Sequence, residues 1–253
     1  MYKYAHDDET ALKYIEKIKQ SSGGKSSDLT LVDALFNPQY RTATWVNVGY
    51  MVFHELTGIN VINLYCNTIF KQMDSNGKAP FTPRQGVYLV GLSTFFASFC
   101  STQTVRFFGR RTLLIAGHLG IAVVHAAVAI FNIYEINLGV VTMILLFIFV
   151  YQNTSGPVAW VYASETTIDA GMGICLLTLW GTVLVLSIVC PIIMDPESLG
   201  PNGTFFILSG LSVFGCIYVI LFIKETFSLS DREKKILFTP KQFLESALDM
   251  KGF

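Results

Sequence analysis

The stretch Phe53-His54-Glu55-Leu56-Thr57-Gly58-Ile59-Asn60 lies inside a membrane-length apolar segment, Thr42 to Phe70, and puts a carboxylate where hydrocarbon is expected. A carboxylate at that depth must be paired, protonated or turned toward a wet cavity. Gly58 follows three residues later, and a glycine in an apolar helix loosens the backbone where a polar ligand or a neighbouring helix approaches. The stretch therefore reads as a transport site, or the remains of one, in a helix broken at Gly58.

Outward from this segment the chain keeps the same character. Its 253 residues are 52% hydrophobic and 14% charged, with 20 phenylalanines, a profile of a multi-pass membrane protein rather than of a soluble core. Crossing a bilayer takes roughly 20 residues. Six stretches meet that length: Thr42 to Phe70, Gln85 to Val105, Thr112 to Ile133, Leu138 to Ala163, Gly171 to Met194 and Gly203 to Ile223, none containing lysine or arginine. The expected fold class is thus all-α and integral to a membrane, with six transmembrane helices. An even number of spans puts both termini on one side. Of the 18 basic residues, all but Lys71, Lys78 and Arg84 fall on the terminal side, so both termini are expected on the cytoplasmic or matrix-like face. The zero net charge hides this asymmetry.

The remaining features bound the function. Cys66, Cys100, Cys175, Cys190 and Cys216 all lie within expected spans, where burial between helices is the ordinary fate, and their spacing fits no metal site. Residues 1–41 form a polar segment with an amphipathic helix at Leu12, Tyr14, Ile15 and Ile18 and a flexible linker from Ser21 to Ser27. The first 20 residues carry Asp7, Asp8 and Glu9 without an apolar core, so neither a cleavable secretory signal nor a transit peptide is expected. Gly24-Lys25-Ser26 is no phosphate loop: Lys19 stands where the upstream glycine is needed, and no strand precedes it. The outer loop from Lys71 to Arg84 carries turn residues, Asp74-Ser75-Asn76-Gly77. Residues 42–223 are the membrane domain, and 224–253 a polar tail whose mixed run Asp231-Arg232-Glu233-Lys234-Lys235 reads as a solvated helical end, not a nucleic-acid site. No nucleophile, base and orienting group stand together, so an enzyme is not expected, and no cofactor or metal is implied. Asn202-Gly203-Thr204 is a glycosylation sequon on the expected outer side.

Four motifs carry a resemblance. Gly58-Ile59-Asn60 with Tyr65 resembles the seventh helix of the sugar porters of the major facilitator superfamily. Phe108-Gly109-Arg110-Arg111 resembles their loop between helices eight and nine. Gly156-Pro157-Val158-Ala159-Trp160 followed by Glu165 resembles helix ten, and Lys224-Glu225-Thr226 the closing Pro-Glu-Thr motif. Together, in this order, they identify the six helices as similar to the C-terminal half of such a transporter. The resemblance implies a substrate path lined by His54, Glu55, Asn60, Thr94, Gln152, Trp160 and Trp180. An indole suits the apolar face of a sugar ring while its N–H donates a hydrogen bond. It also implies a gate of Arg106, Gly109, Arg110, Arg111, Glu165, Lys224 and Glu225 clamping the inner helix ends. Gly156 and Pro157, like Gly58, are expected to break their helix and free backbone carbonyls.

The chain departs from the family pattern at several of these positions. His54-Glu55 replaces a glutamine pair, Thr94 an asparagine, Gln152 an acid and Leu179 an asparagine; Arg106 replaces an acid before the Gly-Arg-Arg loop, and Lys224 the closing proline, with Lys224 expected near Glu225 or Glu165. Each unmatched buried polar group costs roughly 1–3 kcal/mol, so these changes are expected to ruin hexose affinity. Only half of a twelve-span transporter is represented, with Met1 falling in what would be its middle cytoplasmic region. Two functional expectations follow. One is a non-transporting, structural or accessory subunit of a larger membrane complex, with lipids and other membrane subunits as partners. The other is a working hexose or proton-coupled sugar carrier, formed by dimerisation or by pairing with a separate N-terminal half, in which His54 and Glu55 hold the proton.

Overall fold

The computed structural model describes residues 29–75, 82–195 and 197–243. The amphipathic stretch at Leu12 to Ile18, the Ser21 to Ser27 linker and the Asn76-Gly77 turn lie outside the described residues, as does the side chain of Tyr65. The described chain is helical: α1 (Leu31–Phe36), α2 (Arg41–Leu56), α3 (Ile59–Ser75), α4 (Pro83–Phe107), α5 (Arg110–Ile133), α6 (Asn137–Asn153), α7 (Ser155–Thr166), α8 (Asp169–Met194), α9 (Gly200–Phe222) and α10 (Asp231–Ile236), then a 3-10 turn at Lys241–Phe243. Two pairs, α2 with α3 and α6 with α7, each form one interrupted rod. With α4, α5, α8 and α9 they make six long units, close to the expected bounds.

Arg110–Ile133, Asn137–Thr166, Asp169–Met194 and Gly200–Phe222 are each long and apolar enough to cross a membrane by length and composition. The two remaining units fall short for a visible reason. The α2–α3 rod is cut in two and carries His54, Glu55 and Asn60, while α4 carries Ser98, Ser101, Thr102, Gln103 and Thr104 in its second half. Thr94, Ser98 and Thr104 each turn a hydroxyl back onto the carbonyl four residues earlier, which satisfies them within the helix. The start of α4 lies two residues before the expected one, because Thr82 and Gln85 form a reciprocal capping box and Pro83 occupies the first turn, where its missing N–H is harmless.

The first break falls at Gly58, whose φ of +85° is a left-handed conformation that glycine adopts freely. A side chain there would also meet Leu208 Cδ1 of α9 at 2.8 Å. The second break differs from expectation. Gly156 and Pro157 sit inside the first turn of α7, and the interruption is at Thr154, with φ −128° and ψ −93°. A proline ring clashes with the carbonyl four residues before it, here Asn153, so the helix gives way upstream of the proline itself.

Packing centres on α5, which lies along α9 and beside α6. Small residues allow the close approach: the His118 ring rests on Gly215, and Ser209 Oγ donates to Ala122 O at 2.7 Å. Gly49 of α2 likewise leaves room for the Tyr218 hydroxyl, which donates to Val46 O at 3.0 Å. One apolar core joins Ile121, Val128, Ile144, Phe147 and Leu208, and a second joins Met51, Leu114, Val158, Tyr162 and Val219. Four cysteines are buried, but Cys100 is exposed on α4, contrary to the expected interhelical burial. The sequon is wound into the first turns of α9: Asn202 Oδ1 accepts from Asn132 Nδ2, and Thr204 is buried. It presents no extended acceptor segment.

Replacing Gly58 by alanine is expected to destabilise the fold by about 1–2 kcal/mol from the left-handed backbone alone, with more from the Leu208 contact. Gly173→Ala, where a Cβ meets open space, is the control and should be neutral or stabilising. Thermal unfolding of the detergent-solubilised variants measures the difference.

Candidate functional site

Two polar groupings stand out, one in the middle of the bundle and one at the helix ends. The first is built by the break at Gly58. The end of α2 supplies His54 and Glu55, both buried, and the start of α3 supplies Asn60. Asn60 Nδ2 donates to Glu55 Oε2 at 2.5 Å, so the carboxylate is held by the residue that the break folds back beside it. His54 Nε2 lies 3.9 Å from Glu55 Oε1 and 2.9 Å from the Tyr151 hydroxyl of α6. Thr57 closes the turn with its hydroxyl on His54 O at 2.6 Å. Its own carbonyl, released by the break, is 2.8 Å from His125 Nε2 of α5. A carbonyl only accepts, so His125 carries a proton on Nε2.

The other residues expected along a substrate path do not join this group by hydrogen bonds. Thr94 is half-buried and bonds within α4, to Val90 O. Gln152 is half-buried, with its Oε1 over Gly156. Trp160 and Trp180 are 36% and 64% exposed, on the surface of α7 and α8 rather than in the core. The structure thus brings together His54, Glu55, Asn60 and Gly58, and leaves the two indoles open.

The second grouping joins the ends of α5, α7 and α9 to the tail. Gly109 is the N-cap of α5, and the Glu225 carboxylate lies where a Cβ would be, accepting from Arg110 N at 2.8 Å and Arg111 N at 3.2 Å. A carboxylate at a helix N-terminus satisfies orphan N–H groups and complements the helix dipole. Glu165, at the end of α7, takes Arg110 Nη2 at 3.1 Å and Lys234 Nζ at 2.9 Å on one oxygen, and the Thr226 hydroxyl at 2.8 Å on the other. Arg111 Nη2 donates to Ile220 O, in the last turn of α9, at 2.8 Å. Lys235 Nζ donates to Ser164 O and Thr167 O, the open carbonyls at the end of α7. Burial holds the Lys235 amine below the usual lysine value, while Asp169, Asp231 and Glu165 draw it back up.

Two of the expected gate residues behave differently. Lys224 Nζ turns to Leu237 O at 3.1 Å and over the Phe238 ring, not to Glu165 or Glu225. Its backbone N–H donates to the Tyr162 hydroxyl, and this fixes the direction of the chain as α9 ends. Arg106 is exposed in the last turn of α4 and makes no ion pair among the described residues. The tail is also not a freely solvated helical end, because Lys234 and Lys235 both dock on α7.

Sequence reasoning missed Tyr151, His118, His125, Lys234, Lys235 and Thr226. A signal existed for the histidines: of the four in the chain, three lie in apolar spans, and His118 and His125 are seven residues apart on one face of α5. For the lysines no signal existed, since their partners are about 70 residues away.

A family model described as "Sugar (and other) transporter" matches residues 2–238. The chain belongs to that family. Among curated relatives, hexose transporter 1 of Plasmodium vivax (strain Brazil I) is 25% identical over 221 residues, 83% of this chain and 42% of the relative. The major myo-inositol transporter IolT of Bacillus subtilis (strain 168) is 25% identical over 202 residues, 76% of this chain and 42% of the relative. Among solved structures, the inward open conformation of the xylose transporter XylE from E. coli matches with a TM-score of 0.73 at 20% identity, covering 92% of this chain and 48% of that chain. At that identity the likeness is one of fold. This sugar-transporter-family chain spans less than half the length of these relatives. It is a multi-pass integral membrane protein with the all-α fold of the major facilitator superfamily.

Glu165→Gln removes both ion pairs and keeps an acceptor for Thr226, so a loss of about 1–3 kcal/mol is expected. Lys234→Met removes one pair and should cost less. Melting curves of both variants against the parent, at low and at high salt, give the order.

Proposed function

We propose that this chain is one six-helix half of a sugar carrier of the hexose or proton-coupled kind, working with a second six-helix unit. That unit is an N-terminal half or another copy. The observation that carries the reading is the charged cluster on Glu165 and Glu225. It ties three helix ends and the tail together by part-buried ion pairs and helix-end hydrogen bonds. Such pairs add little to a static fold compared with apolar packing, yet they can be broken and remade as helix ends separate. Broken helices meeting at a buried carboxylate support the same reading, since transporters place binding groups where helices are interrupted. Trp160 and Trp180 are the sugar-stacking candidates, and Glu55 with His54 the proton-holding pair, with Asn60, Thr94 and Gln152 around the substrate. The membrane domain is 42–223. The skew of basic residues supports placing 1–41 and 224–253 together on the cytoplasmic or matrix-like side.

A second reading has its own observation. Asn60 bonds Glu55, and His54 bonds Tyr151, so the groups a sugar would need already satisfy one another. This favours a non-transporting accessory subunit whose polar interior is structural and whose open faces meet lipids and other membrane subunits.

Uptake of radiolabelled hexose by liposomes holding the full-length protein, purified with whatever co-purifies, separates the two. Carrier activity predicts uptake that falls at least tenfold in Glu55→Gln and Trp160→Ala. Absence of uptake, with co-purification in fixed stoichiometry with a large membrane complex, would sink the carrier reading and support the accessory one.

A further inference from the structure

Positive charge is scarce where α3 stops and α4 starts: of the 18 basic residues, only Lys71, Lys78 and Arg84 belong to that end of the chain's spans. Two of the three line one open pocket of about 550 Å³, Lys71 from the end of α3 and Arg84 from the first turn of α4, together with Asn63, Thr82 and Tyr88. Arg84 Nε donates to the Tyr88 hydroxyl at 2.7 Å, and the guanidinium carbon lies 5.7 Å from the centre of the Tyr88 ring. One edge of the guanidinium is thereby fixed, while its Nη groups take no partner among the described residues. Lys71 is exposed and likewise has no carboxylate partner among them.

Neither cation serves the fold where it stands. A helix dipole favours anions at an N-terminus, so Arg84 in the first turn of α4 adds unfavourable charge unless an anion covers it. Among the described residues no carboxylate lines the pocket. The Asn63 amide and the Thr82 and Tyr88 hydroxyls can all donate hydrogen bonds. A guanidinium and an ammonium among further donors suit a phosphate. A zwitterionic headgroup would find no anion here for its amine, so a phosphate with net negative charge is the better match.

The surface below the pocket separates a lipid from a soluble phosphate. Arg84, Tyr88, Leu92, Phe96 and Phe99 recur at three- and four-residue steps along α4, and all are exposed. Tyr88 belongs to both the pocket and this stripe. Cation, interfacial tyrosine and apolar side chains in that order along one helix face match a headgroup followed by its acyl chains. A soluble phosphate would make no use of the apolar part.

We propose that Lys71, Arg84 and Tyr88 hold the phosphate of an anionic phospholipid whose acyl chains lie along Leu92, Phe96 and Phe99. The headgroup bridges the end of α3 to the start of α4. The site stands apart from the Glu55 group and rests on neither reading of the function.

Native mass spectrometry tests it, with the full-length protein delipidated in detergent and then given equal amounts of phosphatidylglycerol and phosphatidylcholine. The parent should retain phosphatidylglycerol in preference. Each basic residue near an anionic headgroup is worth about fivefold in affinity, so the preference should fall about fivefold in Lys71→Gln or Arg84→Gln and roughly twentyfold in the double variant. Arg41→Gln, which removes an exposed cation at the start of α2, should leave it unchanged. Equal retention of both lipids by the parent overturns the proposal, whatever the variants do. A loss in Arg41→Gln as large as that in Arg84→Gln overturns it too, by showing general charge attraction. Glycerol 1-phosphate at matched concentration is expected to leave the lipid bound; displacement would assign the pocket to a soluble phosphate and sink the lipid assignment.

Discussion

The carbonyl of Thr57 has to be satisfied inside the bundle, because a bilayer supplies no water to a backbone group left over where a helix stops. The His125 ring meets that requirement from α5, at 2.8 Å, and much of the interior follows from the bond. It allows α2 to end and α3 to restart across Gly58. That turn carries Asn60 back beside Glu55, and it seats Gly58 on Leu208 of α9. His125 is itself framed by Phe147 and Phe205, so the polar contact is embedded in the larger apolar core. One hydrogen bond thereby couples α2, α3, α5, α6 and α9.

At the helix ends, the same need for satisfied termini is met by charge. Glu225 caps α5, Arg111 takes a carbonyl of the last turn of α9, and Lys235 takes two at the end of α7. Each cation sits at a C-terminus and the carboxylate at an N-terminus, the arrangement that helix dipoles favour. Glu165 then links these ends through Arg110 and Lys234. The two polar systems differ in kind. The interior one is held by neutral hydrogen bonds and a single carboxylate, whereas the outer one is ionic and partly wet, and so easier to open.

Much of this was legible in the chain as written, residue by residue. Six apolar lengths gave the six units, and Gly58 gave the first break, because only glycine enters the left-handed region without strain. Gly109 was legible as part of the loop motif and the gate, but not the Glu225 carboxylate pressed on its backbone. The second break was misread by two or three residues, since a proline disturbs the turn before it and not the position it occupies. Lys224 was expected near Glu225 or Glu165, but the chain leaves α9 with its amine directed toward Leu237. His118 and His125 carried the plainest overlooked signal, imidazoles in hydrocarbon.

By itself, then, the sequence determined that this is a multi-pass helical membrane protein, where its helices run, and which family it resembles. Those properties depend on hydrophobic length, basic residues flanking spans and local backbone preference, all of which act over a few residues. Only the tertiary structure decided which polar groups meet: Tyr151 with His54, His125 with Thr57, Lys234 with Glu165, and the two indoles left open. These contacts join positions about 70 to 100 residues apart. In an apolar medium each polar atom takes whatever partner the helix packing brings within reach, and no local pattern encodes that choice.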